Sequence, residues 1–347
     1  MASLGNTDIC ATDSLRFTIN GVNTNPPGTL YSFLINDGSF EKTFLHPAPA
    51  VVGHFFDRGS CGTVSNNGIS SFINAFGAYL TITNPCGTTS PSVVPIYVSG
   101  KPRASIGLPA AAVCVNNPVT INSTSQFGNI VNSVNGTTAT CVNTGKQVWA
   151  ISPATGYSLT NGSLGSLNGS HDNALLWTSG SHSFGINFTA PGNYTIKIYI
   201  ANDRCGLDST QRVICVRNPP QVTFTASTDT LCTPGNVTFT NSSPIGGCFG
   251  DDYAWTVQYS DPLTCNTIQG TPYSFMNGTS NTSASPVIRF NQTGRYVVRL
   301  TVSAKNASGT CAPVYQETTI YVKGLPKVSI GAITAVCVNN AITPRPL

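Results

Sequence analysis

The chain has 347 residues, of which 9% are charged and 40% hydrophobic, and a formal net charge of +4. That length admits two or three domains with cores of their own. The low charge, set against plentiful Val, Ile, Thr, Tyr and Phe, excludes a disordered chain, which would be charged and poor in such residues. No basic run offers nucleic acid an electrostatic grip. No stretch approaches the ~18 apolar residues of a membrane-spanning helix, so no membrane insertion is expected.

Twelve cysteines are present. Zinc sites draw on short Cys-x-x-Cys or Cys/His pairs, whereas the nearest two cysteines, Cys205 and Cys215, stand ten residues apart. Isolated cysteines at wide spacing fit disulfides in an oxidising compartment, which places the chain outside the cell or on its surface. The start, MASLGNTDIC, lacks the basic and apolar regions of an export signal, so a fragment of a larger exported protein is expected.

In chain order, strands dominate. Cys10, Cys114, Cys232 and Cys337 recur at steps of roughly a hundred residues, too long for a solenoid repeat of ~20–50 residues and right for tandem domains. Each of the first three precedes an alternating run, LRFTI from Leu15, VTIN from Val119 and VTFTN from Val237, as a half-buried strand requires. A large aromatic follows on a central strand: Phe33, Trp149 and Trp255. The longest alternating strands come next, with Phe76, Ala78, Leu80 and Ile82 inward in the first repeat, Tyr194 to Ile200 in the second and Tyr296 to Val302 in the third. A cysteine then appears in each (Cys86, Cys205, Cys311) before a last strand and a Pro-containing joint.

The segment Lys101–Thr120, KPRASIGLPAAAVCVNNPVT, returns as Leu325–Thr343, LPKVSIGAITAVCVNNAIT. The expected organisation is a β-sandwich over 1–100, a second over 101–218, a third over 219–324, and the truncated start of a fourth repeat over 325–347. Some seven short strands per repeat around one inward aromatic predict an all-β fold of tandem Ig-like antiparallel sandwiches. Joints carrying proline restrict orientation more than Gly/Ser tethers do. Core aromatics are expected at Phe33, Phe76, Trp149, Tyr194, Trp255 and Tyr296.

In an Ig-like sandwich the opening cysteine and the late cysteine can lie at one end of a domain, which suggests Cys10–Cys86, Cys114–Cys205 and Cys232–Cys311. The remainder would pair as Cys141–Cys215 and Cys248–Cys265, leaving Cys61 and Cys337 unpaired. Four cysteines in a domain admit three pairings, so these assignments stay open at this level.

GNYTIKIYIANDRCG and TGRYVVRLTV resemble the sixth strand of PKD domains, and SFLINDGS (Ser32–Ser39) is similar to that family's W-x-F-G-D-G signature, with Phe33 for its Trp. GHFFDRGSCG, WAISPATGY and NPCGTTSPSVVPIYVSGKP resemble cysteine-containing PKD-like repeats of large Bacteroidetes surface proteins, some of them gliding-motility adhesins exported by type IX secretion. The resemblance implies a non-enzymatic spacer or contact module with no cofactor. Its partners would be other repeats of the same polypeptide and surface glycans or proteins. It also implies O-glycosylation of Asp-Ser/Thr-apolar motifs, with Ser14, Ser209 and Thr230 as candidates.

No catalytic site is expected. Ser170, His171 and Asp172 hold the letters of a triad, but adjacent residues cannot converge as one. His46, His54, His171 and His182 read as loop or surface residues. Asp251 and Asp252 fall short of the six to eight oxygens that Ca²⁺ takes. Trp177, outside the repeated core position, is the candidate for an exposed sugar contact. Three roles follow: a disulfide-stapled stalk or adhesive shaft, accessory modules of a secreted hydrolase, or a filament subunit.

Overall fold

The computed structural model describes residues 1–134, 138–260, 270–307, 309–324 and 326. Strands account for nearly all its regular structure, and they form three sandwiches, each around its own core.

In the first sandwich, β1 (Ala2–Leu4), β3 (Ser14–Thr18) and β6 (Val51–Phe55) make one sheet. The other runs β2 (Asp8–Cys10), β11 (Ser92–Ser99), β9 (Phe76–Asn84), β4 (Leu30–Ile35), β5 (Lys42–Leu45), with β10 (Gly87–Thr89) also paired to β9. A small hairpin, β7 (Val64–Asn66) with β8 (Ser71–Ile73), stands apart. Alternation places Phe17, Phe33, Phe76 and Leu80 between the sheets, as the period of two along a strand requires.

The second sandwich sets β12 (Ile106–Gly107), β14 (Val119–Ser123), β19 (Ser183–Phe188) and β18 (Tyr157–Asn161) against a second sheet. That sheet runs β13 (Ala112–Cys114), β21 (Gly206–Arg217), β20 (Gly192–Asn202), β17 (Lys146–Ser152). A hairpin of β15 (Ile130–Val134) and β16 (Thr138–Val142) belongs to neither. The third repeats the plan: β22 (Phe224–Ala226), β24 (Gly235–Asn241), β27 (Val287–Phe290) and β26 (Tyr273–Met276) face β23 (Thr230–Cys232), β29 (Val314–Lys323), β28 (Gly294–Ala304) and β25 (Asp251–Ser260). In Ig nomenclature these orders are A-B-E-D and A′-G-F-C, so the fold is a tandem of Ig-like sandwiches.

One detail of this topology governs the cysteines. The short strand that carries each opening cysteine runs parallel to the last strand, setting Cys10 opposite Ser99, Cys114 opposite Arg217 and Cys232 opposite Lys323. Opening cysteines therefore lie at the finish of the last strand, and the late cysteines lie at its beginning. At ~3.3 Å per residue, the 12 residues of β21 separate those ends by roughly 40 Å. A disulfide tolerates less than ~7 Å between Cα atoms.

The expected pairs Cys10–Cys86, Cys114–Cys205 and Cys232–Cys311 are accordingly corrected. Cys10 bonds Cys205, with S–S 2.03 Å and Cα–Cα 5.5 Å, while Cys86 and Cys232 are exposed free thiols. Cys61, expected to be unpaired, bonds Cys141, which also removes Cys141–Cys215. Cys114, Cys215, Cys248 and Cys311 are in disulfides as well. Cys265 and Cys337 lie outside the described residues, and with them the expected Cys248–Cys265 bond, the expected unpaired Cys337 and the truncated start of the fourth repeat.

By compactness the chain forms two units, Met1–Arg217 and Asn218–Leu347. The first two sandwiches thus constitute one body despite their separate cores.

Candidate functional site

The junction inside the first unit brings together a disulfide, a buried apolar cluster and a set of hydrogen bonds between the two sandwiches. The β15–β16 hairpin, from the second repeat's sequence, packs on the first sandwich. Val131 and Ala139 close a buried apolar cluster with Phe72, Ala75 and Tyr97, and Cys61 and Val94 pack against it. The Cys61–Cys141 bond runs beside this cluster. Polar contacts surround it: Asn74 Nδ2 donates to the Ala139 carbonyl at 2.8 Å, the Val131 amide donates to Ser99 Oγ at 3.0 Å, and Arg204 Nη1 donates to the Val131 carbonyl at 2.9 Å. Arg204 also pairs with Asp8 of the first sandwich.

The joint between the two sandwiches is held from both sides. Asn202 Nδ2 donates to the carbonyls of Gly100 (3.0 Å) and Phe127 (2.7 Å), while Asn202 Oδ1 accepts the Cys205 amide at 2.6 Å. The Gly100 amide reaches the Asn129 carbonyl at 2.8 Å, and the Ala104 amide reaches Asp208 Oδ2 at 2.7 Å. Gly128 has φ +77°, and a Cβ there would stand 2.4 Å from the Gly100 carbonyl oxygen, so only glycine fits this approach. A cleft of about 550 Å³ opens beside the joint, with Asp57, Arg58, Lys101 and Arg103 on its walls. Sequence reasoning missed this junction, because hairpin, turn and linker meet only in the folded chain.

The aromatics expected in the cores are buried, and two of the three repeats use them identically. Trp149 Nε1 donates to the Ser181 carbonyl and Trp255 Nε1 to the Ser283 carbonyl, both at 2.9 Å. Tyr194 and Tyr296, each near the start of its strand, return their hydroxyls to the carbonyls of Ala190 (3.0 Å) and Gln292 (2.9 Å), four residues upstream. This is the tyrosine corner of Ig-like sandwiches. Burial pushes the Tyr194 hydroxyl above the ordinary tyrosine pKa. The first repeat has Phe33 and Phe76 at these places, and neither has a polar atom to donate.

Trp177 is not an exposed sugar contact. It is 3% exposed, packs with Val148 and Ala201, and donates its Nε1–H to the Ser170 carbonyl at 2.7 Å. His54 also departs from expectation: it is buried, with Nε2 2.6 Å from Asp37 Oδ2. Burial would raise the Asp37 carboxyl, but hydrogen bonds from Ser39 and the His54 ring outweigh it and hold the group below the ordinary carboxylate value. Ser14, Ser209 and Thr230 are exposed. Among the described residues, no group of three or more His, Cys, Asp or Glu is placed to hold a metal ion, and no helix is long and apolar enough to cross a membrane.

No family model matches the chain, and no curated protein matches it. Among solved structures it is similar to extracellular domains 3–5 of Drosophila OTK, at 13% identity over 92% of this chain and 95% of that one, with a TM-score of 0.37. FdeC, an Escherichia coli adhesin, gives 11% identity over 93% and 96%, with a TM-score of 0.34. The titin I-band fragment I67–I69 gives 12% identity over 92% and 95%, with a TM-score of 0.31. The fold assignment rests on the sheet orders themselves.

Proposed function

We propose that the chain is a non-enzymatic repeat segment of an extracellular surface protein, a disulfide-stapled stalk or adhesive shaft. The observation that carries this reading is the Cys10–Cys205 bond, which ties one sandwich to the next rather than closing a single one. Such a bond makes no active site, but it is suited to load. Tension applied at the two ends of the first unit passes through the cross-link, and the 195-residue interval between its cysteines stays out of the extending chain. The Cys61–Cys141 bond lies inside that interval and locks a further loop. Disulfide use supports an extracellular location.

The finer reading, a PKD-like repeat of a Bacteroidetes adhesin serving surface adhesion or gliding, rests on Ser32–Ser39 and the strand motifs of the second and third repeats. Contacts with glycans or proteins, and O-glycosylation at Ser14, Ser209 and Thr230, belong to the same proposal.

Single-molecule stretching tests the mechanical role. In the oxidised protein the first unit releases only its short flanks. Reduction adds roughly 650 Å of contour, at ~3.3–3.6 Å per freed residue. Full extension without reductant would falsify the stalk reading.

A further inference from the structure

The cleft beside the joint, about 550 Å³, falls within the ~300–1,000 Å³ range of ligand pockets. Its floor is bare backbone. A Cβ on Gly59 would stand 3.2 Å from the Gly100 amide nitrogen, and one on Gly100 would stand 3.1 Å from the Gly128 Cα, so three glycines meet there. The walls come from both sandwiches: Arg58 from the first, Lys101 and Arg103 from the joint, and Gln126, Asn129 and Asn143 from the second repeat. Arg103 and Gln126 exchange backbone hydrogen bonds at 2.8 and 2.9 Å, which fixes that wall. The Arg58 guanidinium lies 5.7 Å from the Phe76 ring centroid, a cation–π contact that positions it. Among the described residues, none of the three cations has a carboxylate partner, and none of the three carboxamide side chains has a hydrogen bond. Asp57 is the one acid on the walls, so three cations less one carboxylate leave a formal charge of +2.

We propose that this cleft binds an acidic oligosaccharide, with Arg58, Lys101 and Arg103 pairing its carboxylates and Gln126, Asn129 and Asn143 hydrogen-bonding its hydroxyls. This role rests on the adhesive reading above and gives it a ligand class. Guanidinium and ammonium groups form charge-assisted hydrogen bonds with carboxylates. Carboxamides both donate and accept, as the hydroxyls of a sugar do. No aromatic ring lines the cleft, so it lacks the stacking platform on which single-stranded nucleic acid binds. Nor does a large apolar side chain line it, so a protein partner would find no anchor pocket there. The disulfide and hydrogen bonds of the junction hold both walls in place before a ligand arrives, which lowers the ordering cost of binding.

The test is titration calorimetry of the full oxidised chain at low salt with a galacturonate tetrasaccharide, its methyl ester serving as the neutral control. The tetrasaccharide should bind about tenfold or more tighter than the ester, and added salt should weaken it. Lys101→Gln/Arg103→Gln, at exposed positions, should weaken binding about tenfold, since two exposed ion pairs are lost. Arg16→Gln/Arg212→Gln removes the same charge from exposed positions outside the cleft and should leave the affinity unchanged. Asp57→Asn should tighten binding about two- to fivefold, a gain that misfolding cannot mimic. No binding of the tetrasaccharide, equal affinity for the ester, or equal losses in the two double variants would each overturn the proposal. Stretching of the first unit reads none of these contacts, so failure of the ligand leaves the stalk standing.

Discussion

His54 projects from β6 toward Asp37, in the Asn36-Asp37-Gly38 turn that follows β4, and the two side chains meet in the buried layer of the first sandwich. The turn was legible as a motif, but its partner was not: 17 residues separate the two in sequence, and they come together only because the sheets of β4 and β6 face one another. Asp37 is held below its ordinary value of 3.8, so the sign is fixed. Its contribution to stability is complete above that value and is lost as pH falls through 3.8 toward the folded pKa. Urea unfolding followed from pH 7 to pH 3 should show this loss, and Asp37→Ala should flatten the profile. At pH 7 the same substitution should cost about 1–3 kcal/mol, because the buried imidazole loses its acceptor. Tyr194→Phe and Tyr296→Phe remove only a hydroxyl from otherwise unchanged cores. Each should cost about 0.5–1.5 kcal/mol in chemical denaturation. Neither should alter the strand registers, since the first sandwich already folds with Phe76 at this position. Trp177 carries the opposite lesson: its sequence context, NALLWTSGS, has no strand periodicity, and such a stretch does not reveal that a loop folds back over Val148 and Tyr199.

Strands were the readable level of this chain, because the alternation in LRFTI, YTIKIYI and YVVRLTV is imposed by the two faces of each sheet. Cysteine pairing was not readable, because it depends on the direction of a three-residue strand that has no periodicity to show. With β13 parallel to β21, Cys114 goes to the far end of the sheet from Cys205. The β15–β16 hairpin escaped notice for a related reason: its inward residues, Val131 and Ala139, serve the neighbouring sandwich, so its pattern answers to no sheet of its own repeat. Gly128 tests this element. Gly128→Ala meets both positive φ and a 2.4 Å approach to the Gly100 carbonyl, so the linker must move away. Hydrogen exchange should quicken at the Gly100, Arg103 and Val131 amides, which are bonded across the junction, and not at the β20–β21 ladder within the second sandwich.

At the scale of the first unit, the two mapped disulfides are nested, Cys61–Cys141 within Cys10–Cys205. The outer loop has a sequence separation of 195 and the inner one of 80. A loop of the outer length is worth about 5 kcal/mol in the chain-entropy model, above the ~2–4 kcal/mol that disulfides typically deliver. Nesting lowers the sum, since the second bond closes a chain that the first has already shortened. Under force, however, the bonds act as length limits, and nesting makes them separable. In a Cys10→Ser/Cys205→Ser variant of a Cys114→Ser parent, in which the bond of Cys114 no longer bridges out of the interval, the outer limit is gone while the inner loop stays closed. The oxidised variant should then release 195 less 80, that is 115, residues beyond the parent. This amounts to roughly 400 Å of contour at ~3.3–3.6 Å per residue. Reductant should release the remaining 80-residue interval as a separate increment. An oxidised variant that extends no further than the parent would mean that the apolar cluster around Val131 and the Asn202–Gly100 bond, rather than the outer disulfide, bear the load at this junction.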